Sequence, residues 1–340
     1  MPSPTRLELS TVKQQHMART FTRQQVVEFL ALIDVPQEYR NPDDVPPNLS
    51  FLRVLHTHMI STVPYETLVL HYSPERRVRL DPQHLFQKIV RDGRGRGGYC
   101  LENNLFFLYM LRDLGFQIYP VGTKSRLRID GVPQGEFQGW GHIVQIVTFP
   151  DGSRWVTDVC FGGDGPTQPM RLMEESTIRN MGTQDARLIR DFIPGQVSRS
   201  PEHKMWQYQC RNSETGPWRT FYGFSDAVEW LPADFGVVNC FTGSSLESSA
   251  VTMICMVKFL RRETANCEDS GEANGQKQEI FGKRMLVNEL IKENLGGKTR
   301  IVQECRTEEE RVQALREWFG VELTEEERLA IKGHITEVKP

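Results

Sequence analysis

The hydrophobic period of the chain changes at Gly115. Before it, apolar residues recur at helical spacing; after it, they alternate as strand residues do. Thr22 opens a T-x-x-Q capping box ahead of Val26, Phe29, Leu30 and Ile33. Ser50 is placed to cap a second helix with Phe51, Val54, Leu55 and Met59 on one face. Asp81-Pro82 marks a third start, an acid at the cap and proline at the first helical position. A fourth helix is predicted over 100–114, with Leu101, Leu105, Leu108, Leu111 and Leu114 facing inward. Gly115 would end it in a left-handed conformation.

Beyond Gly115, segments 117–128, 143–149 and 155–161 are rich in β-branched and aromatic residues. Pro150-Asp151-Gly152-Ser153 reads as a hairpin turn, and 206–210 with 218–224 as a second hairpin. The middle of the chain is therefore antiparallel β, with His142 opening one strand and Asp158 lying in the next. A third part begins near Ala227. It holds strand candidates 253–260 and 280–287 on either side of ETANCEDSGEANGQKQE, which has the composition of an exposed, mobile loop. Thr307 and Thr324 each open a charged helix, closed by Gly320 and Gly333 respectively. The chain shows no internal repeat.

Charge and cysteine usage narrow the function. Lysine and arginine number 41 against 44 acids, a net charge of −3. That balance argues against a general nucleic-acid or anionic-membrane binder, whose phosphate contacts need a basic excess. The longest apolar run, 105–111, falls well short of the roughly 20 residues that span a bilayer. The N-terminus carries no apolar segment suited to a signal peptide. Seven cysteines without a C-x-x-C pair indicate neither a disulfide framework nor a cysteine zinc site. A soluble, cytoplasmic protein with no bound metal is expected.

The most informative segment is Arg94-Gly95-Arg96-Gly97-Gly98-Tyr99-Cys100-Leu101-Glu102-Asn103. Glycines deliver Cys100 to the first turn of a helix, where free N–H groups and the helix dipole favour negative charge. Such settings turn a cysteine into a nucleophile. A thiolate needs a base, and the base an orienting group. His142 follows the glycine-flanked Trp140, and Asp158 sits across the hairpin in an otherwise apolar segment, where an acid needs a partner. Singly, each has a structural reading: a buried thiol, a satisfied strand histidine, a turn-facing acid. Together they form a nucleophile, base and orienter in the order Cys, His, Asp. Gly162-Gly163-Asp164-Gly165 is either an ordinary turn or a loop whose N–H groups approach a pyrophosphate.

Arg96-Gly97-Gly98-Tyr99-Cys100, the upstream Val63-Pro64-Tyr65-Glu66, His142, and Asp158-Val159-Cys160-Phe161-Gly162-Gly163 resemble the motifs of arylamine N-acetyltransferases, in order and spacing, over about residues 20 to 260. The resemblance implies an α+β fold: an N-terminal helical bundle, a central antiparallel β-barrel and a C-terminal α/β lid, with a cysteine-proteinase-like triad. On this sequence that division reads as an arm at 1–20, a bundle at 21–115 and a barrel at 116–226. A lid follows at 227–340, with a mobile loop around 262–278. The resemblance implies ping-pong transfer of an acetyl, propionyl or malonyl group from acyl-CoA to an aromatic amine or hydrazine, with acyl-CoA as co-substrate and no permanently bound cofactor.

By the same resemblance Cys100 is the acylated nucleophile, His142 the base and Asp158 its partner. Tyr65, Tyr99 and Phe161 fall at substrate-binding positions. Gln138, Gly139, Gly162, Gly163, Ser244 and Ser245 fall at positions suited to coenzyme A. Glu66 and Arg96 are implied as a structural ion pair that positions the cysteine loop. The chain departs from the pattern at Cys160, where glycine is usual, at Leu101, where Phe is frequent, and at Gln138, where a hydroxyl residue is common. The rival readings are a cysteine peptidase or transglutaminase and a non-enzymatic protein, either an RNA-binding RGG segment or an interaction protein. Peptidases use the same residue types but no coenzyme A. RNA-binding RGG boxes are repeated and disordered, whereas this one is single and lies between two predicted helices.

Overall fold

The computed structural model describes residues 19–129, 132–263 and 278–339. The arm expected over 1–20 and the loop expected around 262–278 lie outside them, apart from their last and flanking residues.

Among the described residues, five α-helices precede Gly115. They are α1 (Arg23–Leu32), α2 (Leu49–Thr62), α3 (Val69–Tyr72), α4 (Pro82–Phe86), which runs into a π turn over Gln87–Arg91, and α5 (Cys100–Asp113). Thr22 and Gln25 form the full capping box of α1. The second helix is capped by Asn48 rather than Ser50. The Asn48 side chain accepts the Phe51 N–H at 2.9 Å, so Ser50 falls inside the first turn. Gly115, at φ 88°, follows the end of α5 in the left-handed region. Leu101, Leu105, Phe106, Phe107, Leu108, Met110 and Leu111 of α5 are all buried. At about 1.5–3 kcal/mol for each such side chain, burial rather than propensity holds this helix.

Eight strands follow: β2 (Gln117–Ile129), β3 (Val132–Thr148), β4 (Arg154–Thr157), β5 (Met170–Arg171), β6 (Thr177–Met181), β7 (Gln184–Asp191), β8 (Met205–Arg211) and β9 (Arg219–Phe224). The short β1 (Tyr65–Glu66) precedes them, within the helical part. The eight form one antiparallel sheet in the order β5-β4-β3-β2-β9-β8-β7-β6, curled into a nearly closed barrel. Two expectations shift. His142 lies within β3, paired with Thr123, because the strand already begins at Val132. Asp158 lies just past β4 rather than in a strand. Its carboxylate accepts the Cys160 N–H at 3.1 Å, turning the chain away from the sheet.

The remaining elements are α6 (Pro232–Ser244), α7 (Ser249–Thr252), β10 (Cys255–Glu263), β11 (Gln278–Val287), β12 (Leu290–Asn294), β13 (Arg300–Glu304), α8 (Glu308–Phe319) and α9 (Glu325–Ala330). Thr307 and Thr324 cap the last two helices as expected, while α9 stops at Ile331, ahead of Gly333. The four strands β10 to β13 form a second antiparallel sheet. Its free edge is completed by β1, in the order β1-β10-β11-β12-β13. The fold is α+β: bundle, barrel and α/β lid. The segment before the cysteine loop is thus hydrogen-bonded to the C-terminal sheet, Tyr65 opposite Val257 and Glu66 opposite Met256. Among the described residues no helix is long and apolar enough to cross a membrane.

Candidate active site

Glycine is required where the chain enters α5. A Cβ on Gly97 would lie 1.9 Å from the Pro64 carbonyl oxygen, and one on Gly98 would lie 2.5 Å from the Glu102 Cβ. This close approach lets Tyr65 bridge to Gly98 and the Glu66 N–H donate to the Gly98 carbonyl at 3.0 Å. Cys100 then begins α5, half-buried, with its sulfur 3.6 Å from the Gly141 carbonyl oxygen.

The imidazole of His142 interacts with that sulfur on one side. On the other, its Nε2 meets Asp158 Oδ2 at 2.8 Å, which leaves Nδ1 for the sulfur. Both His142 and Asp158 are buried. Burial alone would pull the imidazole's pKa down. The charge and hydrogen bond of Asp158, then the bond to Cys100, outweigh it and push His142 up to about 10. Asp158 in turn, though raised by burial, is held below its ordinary value by His142, Asn104 and the Cys160 N–H. The structure therefore brings the sequence-predicted cysteine, histidine and aspartate together, with His142 and Asp158 hydrogen-bonded and the Cys100 sulfur on the other side of the ring.

Two residues that support this arrangement went unnoticed in the sequence. Asn104 is fully buried one turn after Cys100. Its amide donates to Asp158 Oδ1 at 3.1 Å and to the Ile143 carbonyl at 3.0 Å, while its oxygen accepts the Val159 N–H at 3.0 Å. The signal was present: two asparagines, Asn103 and Asn104, in an otherwise apolar helix face. Tyr222 of β9 also hydrogen-bonds to Asp158 and lies 5.6 Å, ring to ring, from His142. No local pattern marks it.

Behind the cysteine loop, six charges interlock. Arg96 Nε donates to Glu66 at 3.0 Å and its Nη1 to Glu327 of α9 at 2.7 Å. Lys88 lies 3.4 Å from Glu66 and 2.8 Å from Glu102, and Arg94 donates to Glu327 at 2.5 Å. Glu66 also accepts the Leu68 N–H at 2.6 Å, and Glu102 accepts the Tyr99 N–H at 3.1 Å. Burial raises Glu66, but Arg96 and Lys88 bring it below its ordinary pKa. Glu102, buried and facing Glu66, stays above its own despite Lys88.

Phe161 lies against the triad, its ring 5.0 Å from that of His142 and 4.7 Å from that of Tyr222. Tyr65 is half-buried, with Cys100, Cys160 and Cys255 among its neighbours. Tyr99 is buried, and its hydroxyl bonds to Asn239 and Thr242, the latter at 3.0 Å. Its side chain therefore ties the start of α5 to α6. Gln138 and Gly139 are exposed on β3, Gly162 and Gly163 occupy a half-buried 3-10 turn, and Ser244 and Ser245 lie at the end of α6. A cleft of about 380 Å³ between α8 and α9 is lined by none of these residues.

A family profile described as N-acetyltransferase matches residues 48–268. N-malonyltransferase FDB2 of Fusarium pseudograminearum is 30% identical over 329 residues, covering 91% of each chain. The arylamine N-acetyltransferase of Mycobacterium tuberculosis is 32% identical over 173 residues, covering 50% of this chain and 57% of that one. Among solved structures, the Mycobacterium marinum arylamine N-acetyltransferase in complex with CoA matches with a TM-score of 0.70 at 22% identity, over 92% of this chain and 99% of the other.

Proposed function

The chain belongs to the arylamine N-acetyltransferase family of acyltransferases, and from that premise we propose that it moves a short acyl group from acyl-CoA to an aromatic amine or hydrazine through a thioester on Cys100. The observation that carries this reading is the buried His142–Asp158 hydrogen bond beside the Cys100 sulfur at the N-terminus of α5.

His142 is held protonated at neutral pH, so a cation and a helix N-terminus both face the sulfur, a setting that favours nucleophilic attack. The sulfur attacks the thioester carbonyl of acyl-CoA. As the tetrahedral intermediate collapses, the bond to the CoA sulfur breaks and His142 gives the leaving thiolate its proton. The amine nitrogen then attacks the Cys100 thioester, passes a proton to His142, and leaves as amide while the sulfur recovers its electron pair. Asp158 keeps the ring oriented and charged throughout. The N–H groups of the first turn of α5 lack intrahelical acceptors and are suited to hold each oxyanion.

Tyr65 and Phe161 are assigned to the acceptor, since weakly basic arylamines are neutral near pH 7 and suit an aromatic wall. Tyr99 positions rather than touches. Gln138, Gly139, Gly162, Gly163, Ser244 and Ser245 are assigned to CoA. The similarity to an N-malonyltransferase brings malonyl-CoA forward beside acetyl-CoA as donor. The six described cysteines are free thiols, in keeping with work in the cytoplasm.

Thiol release from acetyl- and malonyl-CoA, followed with a chromogenic disulfide reagent, tests the reading. Turnover should require both the CoA ester and an arylamine. Cleavage of a peptide ester without thiol release from any acyl-CoA would move the protein to peptide chemistry.

A further inference from the structure

The acceptor pocket has a charged rim that the acyl-transfer chemistry itself does not need. Arg128, near the end of β2, places its guanidinium carbon 5.8 Å from the centroid of Phe161 and 5.4 Å from that of Phe221. The same Phe161 ring is 5.0 Å from the His142 imidazole. The Arg128 charge also acts on Cys255, and Cys255 and Cys100 both act on Tyr65. The guanidinium therefore lies against the same Phe161 ring that packs on the triad histidine.

Arg128 does not stand alone. Its Nη1 is 2.6 Å from Asp164, and the Lys283 ammonium of β11 lies 3.6 Å from the other oxygen of that carboxylate. Lys283 also donates to the Gly163 carbonyl. Its side chain is only 7% exposed, yet an ammonium has three donors, and the Asp164 distance is too long for a full hydrogen bond. Two cations thus share one carboxylate: Lys283 is buried against Asp164, while the Arg128 side chain is 40% exposed and keeps donors free to meet an incoming anion. Acetyl groups and neutral arylamines supply none.

We infer that Arg128 and Lys283 form a subsite for the free carboxylate of a dicarboxylic acyl donor, with malonyl-CoA as the substrate the site selects over acetyl-CoA. The inference rests on the acyl-transfer reading and deepens it. An arginine fork matches a carboxylate in two parallel hydrogen bonds. The carboxylate would complete the charge balance that Asp164 leaves open, while Phe161 keeps the acyl chain against His142. The phosphates of CoA carry the same kind of charge. They are common to every donor and so give no preference among acyl groups.

Single-turnover acylation of Cys100 by malonyl-CoA and by acetyl-CoA distinguishes these sources. In Arg128→Met, which keeps a stem on the two phenylalanine rings, the malonyl-to-acetyl ratio of second-order rate constants should fall at least about tenfold. In Arg128→Lys, which keeps the charge but not the fork, the ratio should fall less than in Arg128→Met, and that partial rescue separates charge from packing. An unchanged ratio in Arg128→Met overturns the inference. So does an equal loss with both donors, which would assign the cations to CoA phosphates. A parent protein acylated by acetyl-CoA but not by malonyl-CoA overturns the subsite and leaves the acyl-transfer reading standing. Acylation by no CoA ester overturns both.

Discussion

At the scale of single residues, the proposed mechanism makes the reactivity of Cys100 depend on a His142 proton held far above its ordinary position. His142 is raised from 6.5 to about 10, chiefly because Asp158 outweighs burial. Single-turnover acylation should therefore be level from about pH 7 to 9 and decline as the imidazolium is lost near pH 10. An inflection near 6.5 would contradict this. The same shift is linked to stability. A raised imidazole contributes fully below 6.5 and loses its contribution as pH climbs toward about 10. Asp158, held below 3.8, contributes above that value and loses its contribution in acid. Melting temperature should accordingly fall between pH 7 and 10 in the parent, and fall less over that range in Asp158→Asn. The same variant should lose at least about 100-fold in acylation rate, the usual scale of positioned acid–base catalysis. Differential scanning fluorimetry and stopped-flow thiol release read the two effects.

At the scale of elements, the cysteine loop is held from three sides, by β1, by Lys88 of the π turn and by Glu327 of α9. Breaking one member of a buried pair commonly costs about 3–5 kcal/mol. Glu66→Gln should lower the melting temperature by on the order of 5–10 °C and reduce activity with it. An unchanged melting temperature would mean that the pair does not hold the loop. The helices and caps around this loop were legible because their signals are local: a threonine before an amphipathic run, glycine after α5, glycines before Cys100. Asn48 in place of Ser50 is the kind of two-residue shift that two nearby cap residues permit. Residues recruited by sheet closure were not legible. Tyr222, Arg128 and Lys283 come from three separate strands, and only the barrel and the second sheet bring them to Phe161. The α6 helix was missed because 232–244 is apolar on several faces, with Val237 and Phe241 exposed, so its period is weak.

Over the whole molecule, the helical part and the C-terminal sheet are not separable bodies. β1 supplies an edge strand to that sheet, and Arg96 and Arg94 bind the carboxylate of α9. Thermal unfolding should then be a single transition in which near-ultraviolet signal and Cys100 alkylation change together. Two separated transitions would show that the lid opens independently of the cysteine loop. The molecule as a whole brings a cysteine at the start of a helix, a histidine from one barrel strand and an aspartate just beyond the next to one place, the arrangement the proposed mechanism uses. Intact mass spectrometry after brief exposure to acetyl- and malonyl-CoA without acceptor tests this arrangement most directly. One acyl group should add to the parent, none to Cys100→Ala, and an arylamine should discharge it. An adduct that persists in Cys100→Ala, or no adduct from any acyl-CoA, would contradict covalent transfer through Cys100.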